Sequence, residues 1–276
     1  MLELYHHGSS VCAAKVRWGL VEKGLEFETH YIDILKGEQF DPEYRKLNPK
    51  AVVPTLVHDG SVITESTVIL EYLDLVFPER RLTPSNPLEY VKTRYWTKAL
   101  DEYLHICCGT LTFASAHRHI LRKNLSESEL EEFLANTPSD SVTKDWAGRK
   151  KQLVAFGFEA PGVPEMLLMH DRYLAEMNSE LQVTKWLASD EFGLADVSLT
   201  PYVNRIAMLG MSEWWERGRY PFLENWWQRI QGRYTFKSSI LDWCPEDLTN
   251  DLMTYGSRSW PDVRQILMDD GSTATR

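Results

Sequence analysis

What this chain of 276 residues has little of narrows its function before any motif is read. Positive charge is short: 30 Lys and Arg face 40 Asp and Glu, and a net charge of −10 repels a phosphate backbone unless one face is locally basic. The one compact basic run, Arg149-Lys150-Lys151, precedes apolar residues and reads as the solvated face of a helix, so no nucleic-acid partner is expected. No uninterrupted apolar run approaches the ~18–20 residues of a membrane span. The opening Met1-Leu2-Glu3-Leu4-Tyr5 has no leader pattern, so no membrane contact and a cytoplasmic location are the default expectations. Cysteine is limited to Cys12, Cys107, Cys108 and Cys244, without zinc-ligand spacing, which predicts reduced thiols and no metal. His117 and His119 flank Arg118 and would point apart on a helix, a poor metal pair.

Hydrophobic residues make up 43% and charged residues 25%, ordinary for folded globular domains, and the length leaves room for about two. The first eighty residues alternate strand and helix patterns. Leu2 to Tyr5 reads as a strand, Val11 to Lys23 as a helix closed by Gly24, and Glu28 to Ile34 as a second strand, a βαβ unit with parallel strands. A Pro-containing loop follows. Asp59-Gly60 between apolar runs predicts a hairpin, and Ser66 opens a helix with Val68, Ile69, Tyr72, Leu73 and Val76 on its buried side. The expected order is βαβ-ββα.

Residues 81–88 read as a linker rich in Pro, Ser, Asn and Arg, and the rest is helical. A long amphipathic helix is expected from about Glu89 to Leu121, with Val91, Tyr95, Ala99, Tyr103, Cys107 and Leu111 on its apolar stripe. A polar stretch from Asn124 to Thr143 and the segment Lys144 to Phe156 read as a short helix, a loop and another helix. Further helices are expected from Pro164 to Leu181, from Gly193 and from Pro221 to Gln231. The domains predicted are therefore residues 1–80, a helical unit over 89–245, and an extension over 246–276 that either covers the site or frays.

Three segments carry chemistry. His6-His7-Gly8-Ser9-Ser10-Val11-Cys12 joins the first strand to the first helix, where free backbone N–H groups and the helix dipole stabilise a thiolate, although Ser9 would serve equally as a plain N-cap. Val52-Val53-Pro54-Thr55 precedes the hairpin; a cis bond there would present the Val53 backbone to a peptide-like ligand. In Thr64-Glu65-Ser66-Thr67, at a helix start, Ser66 suits a carboxylate and Glu65 an ammonium group. Together they describe a short peptide with a thiol and a free α-amino-acid end, and glutathione fits.

The βαβ-ββα order, the Val53-Pro54 before the hairpin and the Glu65-Ser66 at the last helix resemble the thioredoxin-like half of the glutathione transferases. Lys15-Val16-Arg17 to Lys23-Gly24-Leu25, Leu47-Asn48-Pro49 to Val53-Pro54, Thr64 to Leu73, and Leu194-Ala195-Asp196 to Pro201-Tyr202 carry the resemblance along almost the whole chain. It implies a thioredoxin-like α/β domain followed by an all-α domain, glutathione as cosubstrate, a homodimer, and a role in detoxification or aromatic catabolism. By resemblance, Ser10, or Ser9 one position away, hydrogen-bonds the glutathione sulfur. Gln39 meets the glycyl end, Val53 the cysteinyl backbone, and Glu65 with Ser66 the γ-glutamyl head. Two departures stand out: Val11 follows the serine where Pro is usual, and Gly193 replaces the Ser or Thr that caps the buried helix, leaving Asp196 to cap alone.

Thr64 to Ile69 with Val76-Phe77-Pro78, then Trp96-Thr97-Lys98 with Asp101-Glu102-Tyr103, and the long polar insert after Leu121 are similar to the bacterial lignin β-aryl-etherase branch, although an ungapped alignment puts that branch's loop serine at Ala13. The implied chemistry is thiolate attack on a hydrophobic, aromatic electrophile. Lowering a thiol pKa from ~8.5 by about two units needs roughly 2.7 kcal/mol, within reach of one charge-assisted hydrogen bond and a helix N-terminus. The acceptor pocket is expected along Tyr103, Cys107, Leu111 and His117 and around Trp214-Trp215, unless these are simply core. Two readings compete: Cys12 as nucleophile in glutathione-disulfide exchange, and a glutathione-binding protein without catalysis.

Overall fold

The computed structural model describes residues 1–269. β1 (Leu2–His6), α1 (Val11–Lys23) and β2 (Glu28–Tyr31) form the crossover unit, with β1 and β2 parallel. β3 (Thr55–His58) and β4 (Ser61–Ile63) make the hairpin around Asp59 and Gly60, both at positive φ, and the sheet order is β2-β1-β3-β4. Gly24 closes α1 in the left-handed conformation while Leu25 N–H reaches back to Leu20 C=O.

β2 is shorter than expected. Its last ladder bond runs from Ile32 N–H to His6 C=O, and Asp33 then turns the chain by accepting from Leu35 N–H at 3.1 Å. The segment before the hairpin, expected to be loop, holds α2 (Pro42–Leu47), capped by Asp41 on Glu43 N–H at 2.8 Å. α3 (Ser66–Val76) buries Ile69, Leu70 and Leu73 against α1, while Val68 and Val76, expected to be buried, are exposed.

The long helix after residue 86 is one rod with two irregular turns. α4 (Pro87–Ala99) passes through a π turn at Leu100–Leu104 into α5 (His105–Thr112), and a second π turn at Phe113–His117 leads into α6 (Arg118–Asn124). His105 N–H donates to Leu100 C=O and Arg118 N–H to Phe113 C=O, five residues back instead of four. Each extra residue rotates the following face by about 100°. The rod therefore does not keep the single stripe that its sequence periodicity implied.

α7 (Glu127–Ala135) and α8 (Trp146–Phe156) occupy the insert, followed by α9 (Val163–Val183), α10 (Leu194–Met208), α11 (Pro221–Gln231) and α12 (Tyr234–Ser239). Asp196, buried in α10, accepts from Gly193 N–H, Leu187 N–H and Trp226 Nε1, and its burial pushes its pKa up to about 6. The missing cap residue has a steric cause. A Cβ on Gly193 would stand 2.7 Å from Leu82 O, the same carbonyl that accepts from Leu194 N–H.

The extension is neither frayed over its described length nor separate. α13 (Glu246–Asp269) buries Leu252, Val263 and Leu267 in the helical core; the Gly-Ser-Thr-Ala-Thr-Arg end lies outside the described residues. Trp18 of α1 joins the same core, and its indole N–H donates to Thr235 of α12, so one face of α1 packs on the helices while Leu4, Val16, Leu20, Leu56, Ile69 and Leu73 form a separate core under the sheet. Among the described residues no helix is long and apolar enough to cross a membrane.

Candidate functional site

The loop between β1 and α1 is fixed by two buried arginines. Arg17 of α1 donates to His7 O at 3.1 Å, Gly8 O at 3.2 Å and Ser239 O at 3.0 Å, and Arg205 of α10 donates to Ser9 O. Gly8 is required by close approach, since a Cβ there would stand 1.9 Å from Trp243 O. With its carbonyls turned toward these cations, the loop delivers Ser10 to the N-cap of α1 at φ −71°, ψ 119°.

The two serines are chemically distinct. Burial lowers the His7 pKa to about 4, so its ring is neutral, and Ser9 N–H donates to Nδ1 at 3.3 Å, which makes that nitrogen an acceptor. The Ser9 hydroxyl, 3.1 Å from the same Nδ1, gives its proton there. Ser10 Oγ instead accepts from Ala13 N–H at 3.2 Å, which leaves its proton available to an incoming anion.

Cys12 lies one turn further. Its Sγ is 3.5 Å from both His105 Nδ1 and Tyr202 OH. Burial alone would raise the thiol, yet His105, Lys15 and the two hydrogen bonds bring it down to about 6, and the same contact raises His105. Each of the two groups thus favours the charged form of the other.

Across the cavity, the Val53–Pro54 bond is cis, and among the described residues neither the N–H nor the C=O of Val53 has a hydrogen-bond partner. Glu65 sits at φ 66° immediately before α3, a left-handed position that only a few per cent of non-glycine residues adopt and that clusters at ligand sites. Its carboxylate accepts from Lys50 at 2.7 Å, and no side chain caps α3, so the helix N-terminus at Ser66 is open to an anion. Asp101, at the first π turn, accepts from Thr67 Oγ1 at 2.8 Å and lies 4.0 Å from buried Lys15. Gln39 donates to Ile34 O at 3.2 Å and keeps a buried, unpartnered Oε1.

Ser9, Ser10, Cys12, Gln39, Val53, Pro54, Glu65 and Ser66 all line one cavity of about 410 Å³, which continues between the helices along Phe113, His117, Phe133, Trp146 and Lys150. One part of the cavity is therefore polar and backbone-lined, and the other mixes aromatic rings with the buried polar groups His117, Thr137, Lys150 and Arg205.

The "Glutathione S-transferase, N-terminal domain" family model matches residues 9–76, and the "Glutathione S-transferase, C-terminal domain" model matches residues 155–233. Protein LigF of Sphingobium sp. strain NBRC 103272 / SYK-6 is 33% identical over 90% of this chain and 96% of its own length. The chain belongs to the glutathione S-transferase family. The crystal structure of the β-etherase LigF from strain SYK-6 superposes with a TM-score of 0.77 at 32% identity, covering 87% of this chain and 99% of LigF. A tetrachloro-p-hydroquinone reductive dehalogenase of Sphingobium chlorophenolicum is 26% identical over 86% of this chain and 95% of its own.

In this transferase the acceptor half differs from the sequence expectation. His117 lines the cavity, but Tyr103, Cys107, Leu111, Trp214 and Trp215 do not. Tyr103 stacks on Tyr173 at the surface, while Cys107 and Leu111 point into the core, where burial pushes Cys107 up to about 12. Trp214 donates to the buried carboxylate of Asp171 at 2.8 Å, and Trp215 packs against Trp227. The first π turn accounts for the error on the rod, because it turns Asp101, His105, Cys108, Thr112 and Phe113 toward the cavity.

Lys150 is the other correction. It was read as part of a solvated face and is buried on the cavity wall, beside Trp146, which alone of the tryptophans lines the cavity. Asp101, His105, Arg205 and Lys150 were missed as site residues. His105 and Arg205 stood out as titratable or charged residues among largely apolar neighbours, whereas Asp101 beside Glu102 and Lys150 between Arg149 and Lys151 gave no such signal.

Proposed function

We propose that the protein activates glutathione as a thiolate at the N-terminus of α1 and uses it to cleave aromatic ethers. The observation that carries the reading is that Ser10 has a free hydroxyl proton at a helix N-terminus within a cavity that also holds peptide-binding and aromatic walls. The glutathione cysteinyl residue pairs with the Val53 backbone, and its γ-glutamyl carboxylate rests on the α3 N-terminus at Ser66. The α-amino group meets Glu65 and Asp101. Gln39 Oε1, an acceptor, suits the glycyl N–H. The sulfur accepts from Ser10, attacks the carbon that bears an aryloxide, and forms a C–S bond as the C–O bond breaks. The electron pair leaves on the aryl oxygen, which takes up the proton lost by the thiol, so glutathione and ether give thioether and phenol. The likeness to the β-etherase LigF supports the ether, and the dehalogenase relative supports aromatic substrates in general.

The molecule acts as a homodimer in this reading. Val68, Leu75 and Val76 of α3 and Leu88, Val91 and Tyr95 of α4 expose neighbouring apolar surface that a second copy would cover. The testing experiment is an ultraviolet difference titration near neutral pH in a Cys12→Ala background, in which bound glutathione gives a thiolate absorbance. Binding without thiolate would return the protein to the non-catalytic reading.

One observation favours a second reaction. Cys12, on the cavity wall with its thiol pKa lowered to about 6 by His105 and Lys15, is placed to attack a glutathione disulfide as the thiolate, forming a mixed disulfide and releasing one glutathione thiolate. Disulfide exchange lost in Cys12→Ala and retained in Ser10→Ala would establish it.

A further inference from the structure

The acceptor half of the cavity contains a cation that has no counter-charge among the described residues. Lys150 enters from α8 among three aromatic rings, with Nζ 4.0 Å from the centre of Phe133, 5.7 Å from Phe113 and 5.9 Å from Phe40. Its hydrogen bond is to Thr137 Oγ1 at 2.9 Å. On the same wall, both ring nitrogens of buried His117 lack partners among the described residues, as do Nε and Nη1 of Arg205. The carboxylates that line the cavity, Glu65 and Asp101, belong to the glutathione half and are engaged there by Lys50 and Lys15.

A buried ammonium is stable only when its charge is answered, and aromatic faces answer it in part. An anion in the cavity would complete the set: Lys150 gives the charge and a His117 ring N–H a further hydrogen bond, while the Thr137 hydroxyl, which donates to Phe133 O at 3.2 Å, holds the ammonium in place. Resting on the transferase reading for the identity of the cavity, we propose that Lys150 and His117 form a subsite for an anionic oxygen on the electrophile, with Thr137 positioning the Lys150 ammonium. The preferred substrates are then aromatic compounds that carry an acid group, such as a carboxylate, on a ring remote from the carbon that glutathione attacks. Phe40, Phe113, Phe133 and Trp146 hold that ring. Burial brings Lys150 down to about 7, which an entering anion reverses by stabilising the ammonium.

The test uses the full-length protein without glutathione turnover, so that it is independent of thiolate formation. Binding of naphthalene-2-carboxylate and of the uncharged naphthalene-2-carboxamide is measured by isothermal titration calorimetry. Wild type should prefer the carboxylate by about tenfold, the scale of one charge-assisted hydrogen bond. Lys150→Met, which keeps a flexible apolar stem among the rings, should bring the two ligands within about twofold, and Lys150→Arg should restore the preference. Thr137→Val, which removes the hydrogen bond that positions Lys150, should weaken the carboxylate alone and serves as a second variant if Lys150→Met is poorly folded. Equal affinities in wild type, or a carboxylate preference that survives in Lys150→Met, would overturn the subsite. A carboxylate preference in a protein that forms no glutathione thiolate would leave the subsite standing and remove the transferase reading.

Discussion

Replacing Ser10 by Ala removes a single proton donor from the sulfur while leaving the α1 N-terminus in place. A hydrogen bond to a charged group contributes about 1.5–3 kcal/mol, or roughly one to two pKa units. The helix terminus keeps a smaller share, about 0.3–1 kcal/mol. If bound glutathione ionises near 6.5 in the wild type, about three-quarters is thiolate at pH 7; in Ser10→Ala that falls to between about a quarter and a few per cent. The assay is the pH dependence of kcat/KM with an activated aryl halide, whose rising limb should move up by one to two units in Ser10→Ala. Ser9→Ala should leave the limb in place, because the Ser9 hydroxyl is spent on His7 Nδ1. A shifted limb in Ser9→Ala with an unshifted one in Ser10→Ala would refute the assignment. The substitution also strips the cap from Ala13 N–H, so a loss of about 1 kcal/mol in stability is expected alongside.

Other outcomes follow from the fold. Gly193→Ser restores the cap residue usual in the family, yet it should lower thermal stability by about 1–3 kcal/mol, since its Cβ would press on Leu82 O at 2.7 Å; a rise in Tm would contradict the steric account. Burial keeps His6, His7, His117 and His170 neutral well below their ordinary pKa, while buried Asp196 is held above its own. Near pH 5 unfolding therefore takes up protons on four imidazoles and gives up one from Asp196. Stability should fall with decreasing pH by about 4 kcal/mol per unit, measured by urea denaturation between pH 6 and 5. A flat profile would show that these rings are charged in the native state. If the protein is the proposed homodimer, Val91→Glu on the exposed face of α4 should convert it to monomer in light scattering after size exclusion; a wild-type dimer mass that is unchanged in the variant would contradict this interface.

The sheet domain was largely legible because its signals are local. Asp59-Gly60 makes a hairpin, Gly24 ends a helix, and a βαβ unit has one common handedness. The residues proposed to hold glutathione, which line one cavity, could be singled out for the same reason, since each stands at a junction that the chain itself marks: Ser10 before α1, Glu65 before α3, Val53 before a proline. The acceptor side was not. Apolar spacing along the rod gives no sign of a bond that reaches back five residues, and one such turn at Leu100–Leu104 is enough to exchange Tyr103 and Leu111 for Asp101 and His105 on the cavity wall. Lys150 was misread because charge in a basic run usually means solvent, whereas Phe133 and Thr137, which bury it, come from a different helix and a loop. Trp214-Trp215 was attractive by composition alone. The partner that makes Trp214 structural, Asp171, lies on α9, more than forty residues earlier.

The most direct test of the central claim is the product balance with a β-aryl ether and glutathione, followed by mass spectrometry and phenol release. Nucleophilic attack by the bound thiolate predicts one glutathione thioether for each phenol released, with both falling together in Ser10→Ala. Phenol released without thioether, or oxidised glutathione as the main sulfur product, would contradict it and move the chemistry to Cys12 or away from glutathione altogether.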